Sequence, residues 1–217
     1  MRNNKIEEYK KSLKLTNQQR EIVIGLLLGD GHLETWNGGK TYRLKIEHAI
    51  KQKEYTEWLY SIFQEWVRTP PQEKKKLNPS GNTTKNIWFQ TYSHSSLRFY
   101  AQQFYCKGIK RVPDRIDKWL KPLSMAVWFM DDGSYKSKDH RALIINTQGF
   151  IKDDIILLQK VMMSYNIETQ IRKQVDGLQI LITEPSASRF AEIVKPYLRK
   201  EFWYKLGKIG LTQLPKE

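Results

Sequence analysis

The chain has 217 residues, 40% of them hydrophobic and 12% aromatic, which excludes a disordered chain and suits one large domain or two small ones. Its 37 basic and 23 acidic residues leave a formal charge of +14, which argues for a polyanionic partner, nucleic acid ahead of an anionic membrane. Cys106 is the only cysteine, so an intramolecular disulfide, a CxxC zinc site and an iron–sulfur cluster are excluded.

The first stretch, MRNNKIEEYKKSLKL, is charged and lacks the apolar centre of a secretory signal. Thr16 is a good N-cap, and NQQREIVIGLLLGDG reads as a helix that is apolar on every face from Ile22 to Leu28, hence buried all round. That run is far short of the roughly 20 residues of a membrane span, so a soluble protein is expected. HLETW and TYRLKIEHA read as strands joined by a tight turn at Asn37-Gly38. The second strand alternates, with Tyr42, Leu44 and Ile46 on one face and Arg43, Lys45 and Glu47 on the other. An amphipathic helix (53–67) closes at Pro70-Pro71. QEKKKLN and NIWFQTY form a hairpin around PSGN, and a helix covers 95–105. Residues 106–121 read as a connector.

The pattern then restarts. PLSMAVWFMDDG is a second apolar helix, RALIINTQGF a strand and KDDIILLQKVMMSYN a helix. IETQIRKQ and LQILITE form a hairpin around Asp176-Gly177, and SASRFAEIVKPYL is a closing helix. SSLRF at 95–99 is echoed by SASRF at 186–190. The reading is an α+β fold made of two pseudo-symmetric αββαββα repeats, over 1–105 and 122–217 with the linker 106–121 between them.

Several motifs fail. GGKT at 38–41 lacks the upstream glycine of a phosphate-binding loop, because position 34 is glutamate. The four histidines, His32, His48, His94 and His140, have no metal spacing, and His48 is most simply a core-edge residue of its strand.

The two apolar helices carry the chemistry. LLLGDG and WFMDDG each drive an apolar segment into an acid followed by glycine, and Asp132 stands 102 residues after Asp30. A lone Asp-Gly after a helix is ordinarily a cap and turn. Two of them, at equivalent places in a duplicated basic chain, point to a pair of carboxylates at two helix C-termini, where carboxylates and the negative helix ends attract a hard divalent cation. Gly25 and Gly29 would let the backbones approach closely. Asp131 has Gly29 as its counterpart, so the second acid of the pair does not repeat, and its role is read as supporting.

GLLLGDG and VWFMDDG resemble the two motif copies of the single-chain LAGLIDADG homing endonucleases, and repeat order and length agree across nearly the whole chain. KPLSMAVWFMDDG, IINTQGF and VKPYLRKEFWYKL add to the resemblance. The resemblance implies Mg²⁺, with Mn²⁺ able to substitute, held by Asp30 and Asp132 with Gly29 and Asp131 beside them. It implies basic residues near the chemistry at Lys110 and Lys205, with Gln90 and Gln148 as weaker candidates, each read on a strand. It also implies a curved antiparallel β-saddle that grips double-stranded DNA. Arg43, Lys45, Glu47, Lys74, Lys76, Gln170, Arg172, Gln174, Gln179 and Thr183 are candidate readers of the groove, and Lys85, Lys136 and Lys138, taken as loop residues, candidate phosphate contacts. The activity implied is a staggered double-strand cut with short 3′ overhangs in a long asymmetric site, by a monomer encoded in a mobile intron or element, in an organelle matrix or a prokaryotic cytoplasm. The alternative on the same fold is a non-cleaving binder, either an RNA maturase or a DNA-binding regulator.

Overall fold

The computed structural model describes residues 2–77, 81, 83–137 and 139–211. Packing divides the chain into a first unit, 1–20 with 30–102, and a second, 21–29 with 103–217. Among the described residues no helix is long and apolar enough to cross a membrane.

The first unit opens with α1 (Arg2–Ser12), and α2 (Asn17–Leu28) begins in it. Thr16 starts α2 as expected, and more fully than expected. Gln19 N donates to Thr16 Oγ1 at 3.1 Å and Thr16 N to Gln19 Oε1 at 3.0 Å, a reciprocal capping box. β1 (His32–Glu34), β2 (Arg43–Ala49), β3 (Gln72–Leu77) and β4 (Thr83–Gln90) form an antiparallel sheet in the order β1-β2-β4-β3. On β2, Leu44, Ile46 and His48 are buried, whereas Arg43, Lys45 and Glu47 are half-buried on the opposite face. α3 (Lys53–Phe63) buries Tyr55, Leu59 and Phe63 and packs on β2 and β4; α4 (Ser96–Phe104) completes the unit. The turn expected at Asn37-Gly38 is an eight-residue loop, since the last β1–β2 pair is Glu34 with Arg43. The Asn37 side chain braces it, accepting from Thr41 N at 3.0 Å and donating to Thr41 Oγ1 at 2.9 Å. Apart from Gly81, the PSGN turn lies outside the described residues.

In the second unit the stretch read as a connector is folded. It carries a hairpin, β5 (Tyr105–Cys106) with β6 (Ile109–Lys110), and a short helix, α5 (Ile116–Trp119). Val112, Ile116 and Leu120 are buried, and Arg111 Nε donates to Asp154 Oδ2 at 2.8 Å, where Asp154 is 1% exposed. α6 (Pro122–Asp132) follows, buried at every position from Leu123 to Met130. β7 (Gly133–Ser137), β8 (His140–Asn146), β9 (Thr169–Gln174) and β10 (Gly177–Ile182) form an antiparallel sheet in the order β7-β8-β10-β9, which repeats the topology of the first. α7 (Lys152–Ser164) and α8 (Glu184–Val194) bury Leu158, Met162, Phe190 and Val194. A 3₁₀ segment, Lys200–Leu206, leads into α9 (Lys208–Leu211). The β9–β10 hairpin closes across Gln174 and Gly177, with Val175 and Asp176 as its turn.

Candidate active site and nucleic-acid interface

Residues 21–28 of α2, and Gly29 after them, pack in the second unit together with α6. A Cβ on Gly25 would stand 2.5 Å from Ser124 O and 2.6 Å from Val127 Cβ, and one on Gly29 would stand 2.6 Å from Asp131 Cβ. Gly25 and Val127, like Gly29 and Asp131, are 102 positions apart. Each motif residue therefore faces its own counterpart, the arrangement a two-fold axis imposes on a self-paired helix. The missing side chains on α2 are what admit Val127 and Asp131. Asp30 follows Gly29 in the chain and Asp132 follows Asp131.

Both predicted lysines reach these helix ends. The β5–β6 hairpin turns through Lys107 and Gly108, both with positive φ, and sets Lys110 so that Nζ donates to Gly29 O at 2.8 Å. The 3₁₀ segment is reversed by Gly207 (φ +55), packed on Tyr135, and carries Lys205. Lys205 is 8% exposed, and its Nζ donates to Met130 O at 2.5 Å and to Asp131 O at 3.1 Å. The last carbonyls of a helix have no partner inside it and carry the negative end of its dipole, so an ammonium at each motif helix is favoured twice over.

A cavity of about 200 Å³ in the second unit is lined by Gly29, Lys110, Asp132, Asn146, Thr147 and Gln148 among others. It gathers four residues named from sequence. At roughly 30 Å³ per water, it has room for a cation with several waters. A carboxylate, two side-chain amides and a hydroxyl form an oxygen-bearing set that suits a hard ion such as Mg²⁺. Gln148 stands in the turn after β8, not on a strand, whereas Gln90 is the last residue of β4. The registers also separate these two glutamines. Lys45 pairs with His32 and Gln90; Ile144 pairs with Ser134 and Leu181. Leu181, not Gln148, is the counterpart of Gln90. Asn146 and Thr147 were not marked by sequence, because a single polar residue at a strand end carries no signal of its own.

The polar face of the first sheet is held by two glutamates. Glu34 accepts from Arg43 Nε at 3.1 Å, Arg43 Nη2 at 2.8 Å and Lys45 Nζ at 3.1 Å, with His32 Nε2 3.1 Å away. Burial works to raise its pKa, but the hydrogen bonds from Arg43, His32 and Lys45 outweigh it and hold the carboxyl at about 2. Glu47 accepts from Lys74 at 2.6 Å and Asn86 at 2.8 Å. Trp88, unmarked by sequence, pairs with Glu47 across β2 and β4, with Lys45 and Lys74 6.0 Å and 5.6 Å from its ring. Lys85 lies on β4 and Lys136 on β7, so neither is a loop residue; both are exposed. Lys76 pairs along β3 with Thr84; its side chain, and Lys138, lie outside the described residues.

The second sheet presents a different face. Gln179 pairs with Asn146 and Arg172, and its Nε2 donates to Asn146 Oδ1 at 2.7 Å. Gln170, Arg172 and Gln174 stand at alternate positions of β9, Gln170 exposed and the other two half-buried. Thr183 stands past the end of β10, at the start of α8, and its hydroxyl donates to Glu168 O at 3.3 Å.

Two four-stranded sheets of one topology, with paired apolar helices that each run into an acid followed by glycine, define a two-repeat protein of the LAGLIDADG class. The chain belongs to the LAGLIDADG DNA endonuclease family, whose model matches residues 20–190. It is 32% identical over 211 residues to DNA endonuclease I-ChuI of Chlamydomonas applanata, covering 90% of this chain and 97% of that one. It is 28% identical to cytochrome b mRNA maturase bI2 of Debaryomyces hansenii, over 89% and 75% of the two chains. The homing endonuclease I-WcaI bound to its DNA recognition sequence superposes with a TM-score of 0.87 at 28% identity, covering 93% of this chain and 91% of that one.

Proposed function

We propose that the chain is a sequence-specific, Mg²⁺-dependent homing endonuclease. It acts as a monomer on a long, asymmetric duplex and makes a staggered cut with short 3′ overhangs, which promotes mobility of its encoding intron or element. The pairing of Gly29 with Asp131 carries this reading, because the two motif helices end against each other at the residues immediately before Asp30 and Asp132. Asp30 and Asp132 supply the carboxylates that hold the cation, with Gly29 and Asp131 beside them. Mg²⁺, when bound, polarises the phosphate, lowers the pKa of a bound water and stabilises the leaving oxygen. Lys110 and Lys205 keep positive charge at the helix ends, where the phosphate's developing charge needs it. Gln148 lines the same cavity as Asp132 and is suited to orient water; Gln90 serves the first sheet.

The sheet faces supply recognition. Arg43, Lys45, Glu47 and Lys74 give the first a charged, ion-paired surface, joined by Lys76; Gln170, Arg172, Gln174 and Gln179 give the second an amide-rich one. Arginine favours guanine and glutamine adenine, so unlike faces fit an asymmetric site. Lys85, Lys136 and Lys138 contact phosphates, and Thr183 borders the second face.

Likeness to a maturase favours a second reading, assistance to intron splicing without cleavage. A plasmid library challenged in Mg²⁺ and in EDTA separates the two. Mg²⁺-dependent linear product is expected, and Asp30→Asn or Asp132→Asn should abolish it while duplex binding survives. Binding without cutting under any divalent metal would favour the maturase.

A further inference from the structure

Six of the seven tryptophans are buried or half-buried, whereas Trp36 is 80% exposed. An indole left in water forfeits the burial that the others obtain. Trp36 lies in the loop between β1 and β2, and that loop is built to hold its place. Thr35 Oγ1 donates to Asn37 Oδ1 at 3.1 Å and accepts from Gly39 N at 3.1 Å. Asn37 Oδ1 also accepts from Thr41 N at 3.0 Å, and Thr41 Oγ1 stands 2.7 Å from Ser93 Oγ, which moors the loop to the chain beyond β4. The residues on both sides of Trp36 are thus tied down while its ring is left in solvent. The Arg43 guanidinium stands 5.2 Å from the ring centroid, and Arg43 is itself held by Glu34 at 2.8 Å. The indole therefore stands beside the polar face of the first sheet, and Lys40, exposed on the same loop, adds positive charge.

We infer that Trp36 is a wedge, which enters the base stack of the bound duplex and unstacks one step in the arm of the site that the first unit serves. The inference rests on the endonuclease reading. An aromatic ring stacks on any base, since every base has a π-face, and an apolar side chain driven between base pairs unstacks them and bends the duplex. A loop fixed beforehand loses little freedom in doing so. Steps that unstack easily, such as TA and CA, are then favoured at that place without a hydrogen bond to their edges. At the equivalent connection of the second repeat, β7 and β8 close from Ser137 to His140, and neither Lys138 nor Asp139 is aromatic. The distortion therefore falls in one arm alone. Trp36 follows Asp30 by six residues, a reach of at most about 22 Å, or about six base steps of 3.4 Å.

The test places 2-aminopurine, whose emission rises when it is unstacked, at one position at a time through both arms of a selected target held in Ca²⁺. Wild type should raise the emission at one step, in one arm, within about six base pairs of the cut. Trp36→Phe should keep most of that rise and Trp36→Ala none. Affinity for duplex should fall about tenfold in Trp36→Ala, with the log–log salt slope unchanged, because an indole neutralises no phosphate. Since the ring is exposed, Trp36→Ala should unfold at the wild-type denaturant midpoint. Flat emission along both arms with wild type, the same rise with Trp36→Ala, a shallower salt slope, or a markedly lower midpoint overturns the inference. A wild type that cuts in Mg²⁺, matched by Trp36→Ala in emission and affinity, defeats the inference alone. A wild type that binds RNA and no duplex defeats the endonuclease reading, and this inference with it.

Discussion

Lys205 Nζ lies 2.5 Å from Met130 O and 3.1 Å from Asp131 O, which ties the C-terminal 3₁₀ segment to the end of the second motif helix. The ammonium reaches these carbonyls from a nearly closed site. Lys205→Met keeps the length of the side chain but removes the charge, so cleavage should fall by about 10²-fold with duplex affinity retained. Lys205→Arg should not restore it, because a planar guanidinium does not fit where a compact ammonium is enclosed. Single-turnover rates check both, and an unimpaired Lys205→Met would remove Lys205 from the chemistry.

Glu34 makes stability depend on pH. Its carboxyl titrates at about 2 in the folded chain against an ordinary value of 4.5. Folding gains from the ionised form above pH 4.5, and the gain drains away as pH falls from there towards 2. Glu34→Gln should therefore cost about 1–3 kcal/mol at neutral pH, with the partly exposed carboxylate holding it below the full linkage value. The difference between wild type and variant should shrink as the medium is acidified below 4.5. Denaturant unfolding from pH 7 to pH 3 measures it, and a pH-independent difference would contradict the assignment.

Lys74 is held by Glu47 at 2.6 Å and stands beside the Trp88 ring. Lys74→Ala should weaken binding to all sequences alike and make the log–log salt slope shallower by about one unit. An unchanged slope would mean that Lys74 does not meet the backbone.

Gly25→Ala tests the helix pair. The added methyl would stand 2.6 Å from Val127 Cβ, and overpacking of this kind costs about 1–3 kcal/mol. Adding Val127→Gly, which removes that Cβ, should return part of the loss. Equal denaturation midpoints for wild type and Gly25→Ala would show that the helices are not so close.

The duplicated core was legible because Ile22–Leu28 and the α6 segment are apolar on every face, a pattern only a buried helix satisfies. β7 was not, since Gly-Ser-Tyr-Lys-Ser lacks strand alternation and is held by pairing with β8. The Asn37 loop misled because an asparagine side chain there does the work expected of a two-residue turn. Asp132, Lys110 and Gln148 were named and share one cavity. Their neighbours Asn146 and Thr147 were not, nor was the link of Glu34 to Arg43 and Lys45, because register brings these residues together and no local pattern encodes register.

The contact of Gly25 with Val127 makes the duplicated halves lock and key. A homodimer of the amino-terminal copy would set glycine on glycine and leave a hole at the seam. One of the carboxyl-terminal copy would drive valine into valine. The two motif helices are thus complementary to each other and not to themselves, and a chain holding only one of them would need at least one compensating change on that seam to pair with its own copy.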